Sequence, residues 1–458
     1  MSSPHPYLLE KLFGRIRSPL ERFLQRTSAG GIVLMAATVA ALLLATTLGQ
    51  GAIDRFWDRH FLIGGEAFGI DLAWHAWVND AFMAVFFLVV GLELKREMLI
   101  GELSSIRDAA LPAIAAAGGM LVPACIYAAF NARATGASGW GIPMATDIAF
   151  AVGILVLLSW RVPRSLVVFL MALAIADDLG AVLVIAVFYT HGIQPLALAA
   201  AGAFFALAWI FNSAGIRHPV PYGIVGVALW LAVHASGVHA TIAGVLLAMA
   251  IPVRPAFAPR DFEKRLAELL EAFRADRLDP TTADDPLGNQ RMASIAQAVE
   301  SSAAAVQSPL QRLEHRLNPW VTFAILPLFA LANAGIDLGA VSWSSALSER
   351  VTLGVLFGLV LGKFIGVSGA CWITVRLGLG RLPAGVRWSH VMGAAWLAGI
   401  GFTMSLFIAQ LAFDDAAHVE QAKLGILLGS LISAVVGLAW LYVTAARQPR
   451  PTPRRPVA

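Results

Sequence analysis

The chain has 458 residues, of which 58% are hydrophobic and only 14% charged. A soluble domain of that size covers itself with about 25% charged residues, so a water-coated globule is excluded. The net charge of +4 would suit a nucleic-acid partner only if it were gathered on one surface. It is instead distributed by topology, so no nucleic acid is expected.

Residues 1–29 are polar and charged and carry no cleavable leader, which predicts a cytoplasmic N-terminal segment. Apolar runs then recur near the roughly 20 residues needed to span hydrocarbon. They predict twelve spans near 30–48, 79–93, 108–129, 140–159, 165–189, 194–212, 221–236, 239–252, 320–335, 350–376, 389–411 and 421–444. Residues 30–252 therefore hold spans one to eight and residues 319–445 hold spans nine to twelve. Cys125 and Cys371 both fall inside apolar runs, where a free thiol packs as a small hydrophobe.

Between spans one and two, "GAIDRFWDRHFLIGGEAFGIDL" is too polar to cross, and its alternating "FLIGG" stretch predicts a short periplasmic β-hairpin. Residues 253–318 form a longer cytoplasmic loop. Its "FEKRLAELLEAFRADRLD" spaces Phe262, Leu266, Leu269, Leu270 and Phe273 at helical intervals. An amphipathic helix is expected there, followed by a flexible "PTTADDPLGNQ" linker. The "RQPRPTPRRPVA" tail, within 446–458, is expected to be disordered.

Charge tests the topology independently. Lys and Arg number 27 on the side holding both termini and 5 on the other, or 18 against 5 with the long loop discounted. The bias puts both termini in the cytoplasm of a multi-pass protein.

Two spans are interrupted. "GWGIPMATDIAFAVGILVLL" carries Pro143, Thr146, Asp147 and Gly153, and "WLAGIGFTMSLFIAQ" carries Gly399 and Gly401 at its middle. A broken span exposes backbone N–H and C=O groups, which survive at membrane depth only inside protein or along an aqueous cavity. Each interruption falls in the middle member of a three-span group, 108–189 and 350–444. That is the placement expected of inverted repeats with a substrate site where the broken helices meet.

Four ionisable residues lie deep in spans: Asp147, Asp177, Asp178 and Lys363. Facing lipid, they would together cost on the order of 10 kcal/mol on insertion scales, so they must share a polar interior. Adjacent helical residues point about 100° apart; one of Asp177 and Asp178 can face a cavity while the other reaches sideways to a cation such as Lys363. Three ionised acids and one base leave a charge of about −2, which attracts one small cation or two protons. Carboxylate, hydroxyl and carbonyl oxygens, with Thr146 beside Asp147, suit Na+ or Li+ rather than a transition metal. Plainer roles also exist: Asp147 as a helix cap, Asp177 as a counterion only, and Lys363 as structural compensation.

These segments resemble the NhaA-type sodium/proton antiporter family. The resemblance is carried by "FFLVVGLELKRE" (86–97), "IPMATDIAFAVGIL" (142–155), "FLMALAIADDLGAV" (169–182), "SGVHATIAGVL" (236–246) and "LNPWVTFAILPLFALANAG" (317–335). It continues through "LGKFIGVSGACW" (361–372), "GIGFTMSLFIA" (399–409) and "AKLGILLGS" (422–430). It implies an all-α polytopic protein of the bacterial inner membrane with two crossed discontinuous helices and no cofactor, exchanging Na+ or Li+ for H+ by alternating access. It also implies two protons per cation and a homodimer formed through the hairpin. Asp178 then corresponds to the cation and proton carboxylate and Asp177 to its essential neighbour, with Thr146 at the first break. Asp147 and Lys363 correspond to the charges balancing the helix ends, and Gly399, Ile400, Gly401, Phe402 and Thr403 to the second break. Glu93, Arg96, Glu97, Glu314 and His315 correspond to a pH-sensing patch, although Asn318 stands where the family often has a further His.

Other classes fit less well. An intramembrane aspartyl protease places its carboxylates on facing helices, so no enzyme is expected. A cation channel would pass ions without proton counterflow, a scaffold would tolerate loss of all four core charges, and a regulatory homologue would keep the segments without transport.

Overall fold

The computed structural model describes residues 29–63, 70–101, 104–190, 192–255, 257–277, 290–339 and 341–444. Nearly all of the expected N-terminal segment, most of the linker after the amphipathic helix, the hairpin turn and the Pro/Arg-rich tail lie outside the described residues. Within them the apolar runs are helical, the conformation that satisfies every backbone group inside one segment.

The first span is α1 (Ala29–Leu48), followed by a short α2 (Gln50–Trp57). The expected hairpin follows as β1 (His60–Ile63) and β2 (Ile70–Ala73), antiparallel with His60 opposite Ala73 and Ile63 opposite Ile70. The second span, α3 (Trp74–Leu99), is longer at both ends than expected and contains a π-helical turn over Trp77–Phe82. Next come α4 (Ile106–Asn131), a 3₁₀ segment (Thr135–Met144) leading into α5 (Ile148–Leu157), and α6 (Arg164–Phe188).

Helices α7 (Pro195–Ser213), α8 (Pro219–Ala235) and α9 (Ile242–Ala250) follow. The amphipathic segment is α10 (Pro259–Arg277), packed on α11 (Gln290–Val306). Helix α12 (Pro309–Trp320) passes through a π-turn (Val321–Ile325) into α13 (Leu326–Asn333). The boundary expected at 318–319 is therefore helical throughout; Pro319, which has no backbone donor, lies inside α12, and a wider π-turn follows it. The last elements are α14 (Trp343–Ala346), α15 (Arg350–Arg376), α16 (Trp388–Leu397), α17 (Phe402–Ala412) and α18 (Ala416–Thr444).

Among the described residues, seven helices are long and apolar enough to cross a membrane, or nine when each bent pair counts as one span. The expected twelve are not all met at that length. The three others correspond to α8 at 17 residues, α9 at 9 and α13 at 8. Two pairs are bent at a break: Thr135–Met144 with α5 by 41°, and α16 with α17 by 45°.

Each three-span group therefore reads unbroken, broken, unbroken: α4 to α6, and α15 to α18. The two groups pack directly on each other. Helix α4 crosses α15 where a Cβ on Gly366 would collide with the carbonyl of Gly118. A separate apolar cluster joins α3 to α7, α8 and α9 through Leu92, Ala201, Tyr222, Leu229 and Ala248.

The second break needs a side-chain-free position. A Cβ on Gly399 would lie 2.5 Å from both Leu359 O and Ser433 Oγ. Gly399→Ala is therefore expected to destabilise the folded protein by about 1–3 kcal/mol, read as a lower thermal midpoint in detergent. Gly369→Ala, with nothing within 4 Å of the added atom, should leave the midpoint unchanged or slightly raised. Equal losses in the two variants would contradict the close approach.

Candidate functional site

The two breaks meet each other. Between Met144 and Ile148, and again between Leu397 and Phe402, the chain leaves the helix, freeing backbone groups that the opposite break satisfies. Asp147 N–H donates to Ile400 O at 2.6 Å. The Asp147 carboxylate caps both following half-helices, accepting from Phe150 N–H at 3.0 Å and from Thr403 N–H at 3.1 Å. The Thr403 hydroxyl adds a third bond at 2.5 Å. One buried carboxylate thus sits at the positive N-terminal ends of two helices, where an anion is favoured.

Lys363 follows a π-helical turn over Gly358–Gly362 within α15 and is fully buried. Its ammonium is paired with Asp177 Oδ2 and donates to Thr146 Oγ1 at 3.0 Å. Thr146 has a single hydroxyl proton, with Asp177 Oδ2 at 2.6 Å and Ala398 O at 2.9 Å as its acceptors. Lys363 therefore reaches the carbonyl end of the second break only through Thr146.

Asp178 differs from its neighbour. It is 1% exposed, and no donor among the described residues reaches either of its oxygens; Asp177 Oδ1 is likewise unbonded. The charges of Asp177, Asp147, Lys363 and Glu93 all act on Asp178. The helical angle between consecutive residues separates the two roles: one carboxylate is held by Lys363 and Thr146, and the other presents bare oxygens. A buried carboxylate without a donor is tolerated only as the protonated acid or with a cation on it. The site can therefore exchange protons for one hard, oxygen-seeking cation.

At the end of the bundle carrying Arg164 and Arg381, a cavity of about 1000 Å³ is lined by Asp108, Leu111, Phe169 and Ala172 as well. It runs along α6 to within six residues of Asp178, about 9 Å at the helical rise.

The sequence-predicted sensing patch is assembled in part. Arg96 on α3 bonds Glu314 on α12 at 3.0 Å and Glu97 at 3.2 Å. Burial holds the Glu314 carboxyl above the ordinary glutamate value, against the opposing pull of Arg96. Glu93 lies within electrostatic reach of Glu314, Arg96 and Glu97, whereas His315 is exposed beside them. Asn318 accepts from Thr322 Oγ1 at 3.0 Å and takes no part in the patch.

Two charged residues were missed by the pattern alone. Lys95 donates to Met249 O at 2.6 Å and Ile251 O at 2.5 Å, capping the carbonyl end of α9. Lys423, counted among the outer loop charges, is buried within α18 at 8% exposure. The signal for Lys95 was its place on the span-two end beside named neighbours. For Lys423 it was a cation two residues inside an otherwise apolar run.

The family model for Na+/H+ antiporter 1 matches residues 21–441. This chain belongs to that family. Relatives of the family named Na(+)/H(+) antiporter NhaA include that of Syntrophobacter fumaroxidans, 60% identical over 447 residues and covering 98% of this chain and 94% of the relative. The relative from Acidithiobacillus ferrooxidans is 54% identical over 431 residues, 94% of this chain and 98% of its own length. A third, from Saccharophagus degradans, is 46% identical over 445 residues, 96% of this chain and 95% of the relative. The family consists of transporters, and the chain is not an enzyme.

The double cap gives a direct test. Asp147→Ala would leave the N–H groups of Phe150 and Thr403 without acceptors, at about 1–3 kcal/mol for each buried group left unbonded. A large fall in thermal midpoint is expected, with Asp147→Asn keeping part of it because the amide oxygen still accepts. An Asp147→Ala protein as stable as the parent would contradict the cap.

Proposed function

We propose that this protein is a secondary antiporter that exchanges cytoplasmic Na+ or Li+ for external H+ by alternating access. The observation that carries this reading is Asp178, whose two buried oxygens have no donor among the described residues while adjacent Asp177 is ion-paired to Lys363. It sits in a chain that matches antiporters over nearly its whole length.

Asp178 is the oxygen site shared by cation and proton, and Asp177 and Thr146 complete it. Protons arriving at the carboxylates displace the cation; cation binding releases protons. Asp147 holds the two broken helices in register, and Lys363 compensates Asp177. Residues Gly399 to Thr403 supply the second break, whose glycines let it approach the first. Two protons moving against one cation carry net charge, so exchange is electrogenic.

The remaining architecture is read in the same terms. Helices α8, α9 and the α12–α13 run complete twelve spans, the two three-span groups form an inverted repeat, and both termini are cytoplasmic, an orientation the charge bias supports. Residues 253–318 lie at the cytoplasmic surface, where Arg96, Glu97, Glu314, His315 and Glu93 tie α3 to α12 in a pH-responsive patch. The β1–β2 hairpin is the element through which two copies pair. The cation is cargo; no resident metal or cofactor enters the reaction.

The test is exchange in proteoliposomes containing only this protein, read as a luminal pH change on addition of Na+, Li+ or K+. The parent protein should respond to Na+ and Li+, and a potential imposed with K+ and valinomycin should change the rate. Asp178→Asn keeps size and hydrogen-bonding capacity but loses the charge and titratable proton; it should abolish the response while the protein remains folded. Parent-like exchange in Asp178→Asn would overturn the assignment, and insensitivity to potential would overturn the unequal stoichiometry.

A further inference from the structure

Three spans end together at one corner of the bundle: the apolar run of α4 starts at Asp108, α6 begins at Arg164, and α15 finishes at Arg376. Between them lies the cavity of about 1000 Å³, bounded also by residues 378–384 of the loop that leads to α16. The loop is held in place. Left-handed backbone at Gly378 (φ 72°) and Gly385 (φ 76°) turns the chain out of α15 and back toward α16. Leu379 N–H donates to Thr374 O at 3.0 Å, and Ser165 Oγ of α6 donates to Ala384 O at 2.6 Å. The cavity is therefore preformed, with α6 and the loop bonded to each other at its edge.

Its lining is divided in chemistry. Leu111, Phe169 and Ala172, each at most 3% exposed, make an apolar inner end, while Val168 and Leu379 are exposed at the side. The polar end carries Arg164, Arg381 and Asp108. Asp108 is engaged at the start of α4, where its carboxylate accepts from Ser105 Oγ at 2.6 Å. Neither Arg164 nor Arg381 has a hydrogen-bond or ion partner among the described residues. Two guanidinium groups against one carboxylate leave this end positive, and each offers a planar fork of donors that matches phosphate oxygens. A positive-inside bias asks only for arginines at the membrane surface. Two of them on one preformed cavity, beside an apolar pocket of the size that holds an organic ligand, call for a ligand with both kinds of surface.

We propose that this cavity binds a phosphate-bearing amphiphile, its anionic phosphate held by Arg164 and Arg381 and its apolar part lying along Leu111, Phe169 and Ala172. An anionic phospholipid of the adjoining leaflet supplies that chemistry and enters past Val168 and Leu379. A free phosphate from the aqueous side shares only the anionic half, and a zwitterionic lipid brings a cation that the positive end repels. The ligand bridges α4, α6 and the α15–α16 loop, so binding stabilises the folded protein by mass action. The site goes beyond the antiport reading and is read without measuring exchange, so the two stand or fall separately.

The test titrates the delipidated full chain, in neutral detergent, with phosphatidylglycerol, phosphatidylcholine or inorganic phosphate. Binding is read as adducts retained in native mass spectrometry and as a rise in thermal midpoint. Phosphatidylglycerol should bind saturably and raise the midpoint, and phosphatidylcholine should do neither. The Arg164→Gln/Arg381→Gln double variant should weaken phosphatidylglycerol binding by at least about tenfold, the loss expected when charge-assisted hydrogen bonds to phosphate are removed. Arg376→Gln/Arg387→Gln takes the same charge from exposed arginines outside the cavity lining and should leave the affinity unchanged. Ala172→Leu fills the apolar inner end; it should weaken the lipid and spare inorganic phosphate.

Parent-like phosphatidylglycerol affinity in the folded Arg164→Gln/Arg381→Gln protein, or an equal loss in Arg376→Gln/Arg387→Gln, would overturn the site. Inorganic phosphate binding as tightly as the lipid, with Ala172→Leu without effect on either, would overturn the amphiphile and make free phosphate the occupant. Should the double variant not fold, Arg381→Gln alone, on the exposed loop, decides by the same comparison.

Discussion

A carboxylate with no donor among the described residues, buried at membrane depth, is the constraint from which the rest of the structure follows. Asp178 cannot remain ionised and alone in a low-dielectric interior; it must hold a proton or a cation. Every neighbouring group adjusts that choice. Lys363 and Thr146 occupy Asp177 and so keep it from sharing its paired oxygen with Asp178. Asp147 is fixed by three hydrogen bonds at the helix ends. Asp147 thus holds the breaks together, while Asp178 and the unbonded Oδ1 of Asp177 are left to exchange what they carry.

The broken helices are the means of fixing that arrangement without water. An intact helix satisfies its own backbone and offers nothing at midspan; a break exposes donors and acceptors that can be paired only across to a second break. Asp147 N–H to Ile400 O and Thr403 N–H to Asp147 make each break the partner of the other. A crossing secured by a handful of local bonds, with glycines where backbones touch, can shift as a unit against the α3, α7, α8 and α9 cluster. On the antiport reading proposed above, the same geometry serves chemistry and movement, because the proposed cargo ligands and the crossing share residues.

Much of this was legible in the sequence because charge is costly in a membrane. Asp147, Asp177, Asp178 and Lys363 stood out as the ionisable residues deep within apolar runs, and Pro143, Gly399 and Gly401 marked the breaks. What the sequence could not convey was which of two adjacent aspartates takes the lysine, since a 100° step separates them without saying which way either points. Nor could it show that Thr403 bonds Asp147, a contact that exists only once two distant breaks are brought together. Span boundaries failed where polar residues sit inside helices: "FDDAAHVE" set the start of the last span at 421, whereas α18 begins at Ala416 and draws Lys423 inside. Short α9 and the helix running through Pro319 blurred the count for the related reason that length and composition, not packing, define a span in one dimension.

Competition between protons and cation at one set of oxygens is the central claim, and proton release on cation binding measures it most directly. Na+ titrated into the weakly buffered, detergent-solubilised protein at mildly alkaline pH should release about one to two protons for each ion bound, followed with a pH indicator and by calorimetry in buffers of different ionisation enthalpy. Choline at the same ionic strength should release none. Saturable Na+ binding with no proton release would contradict the account.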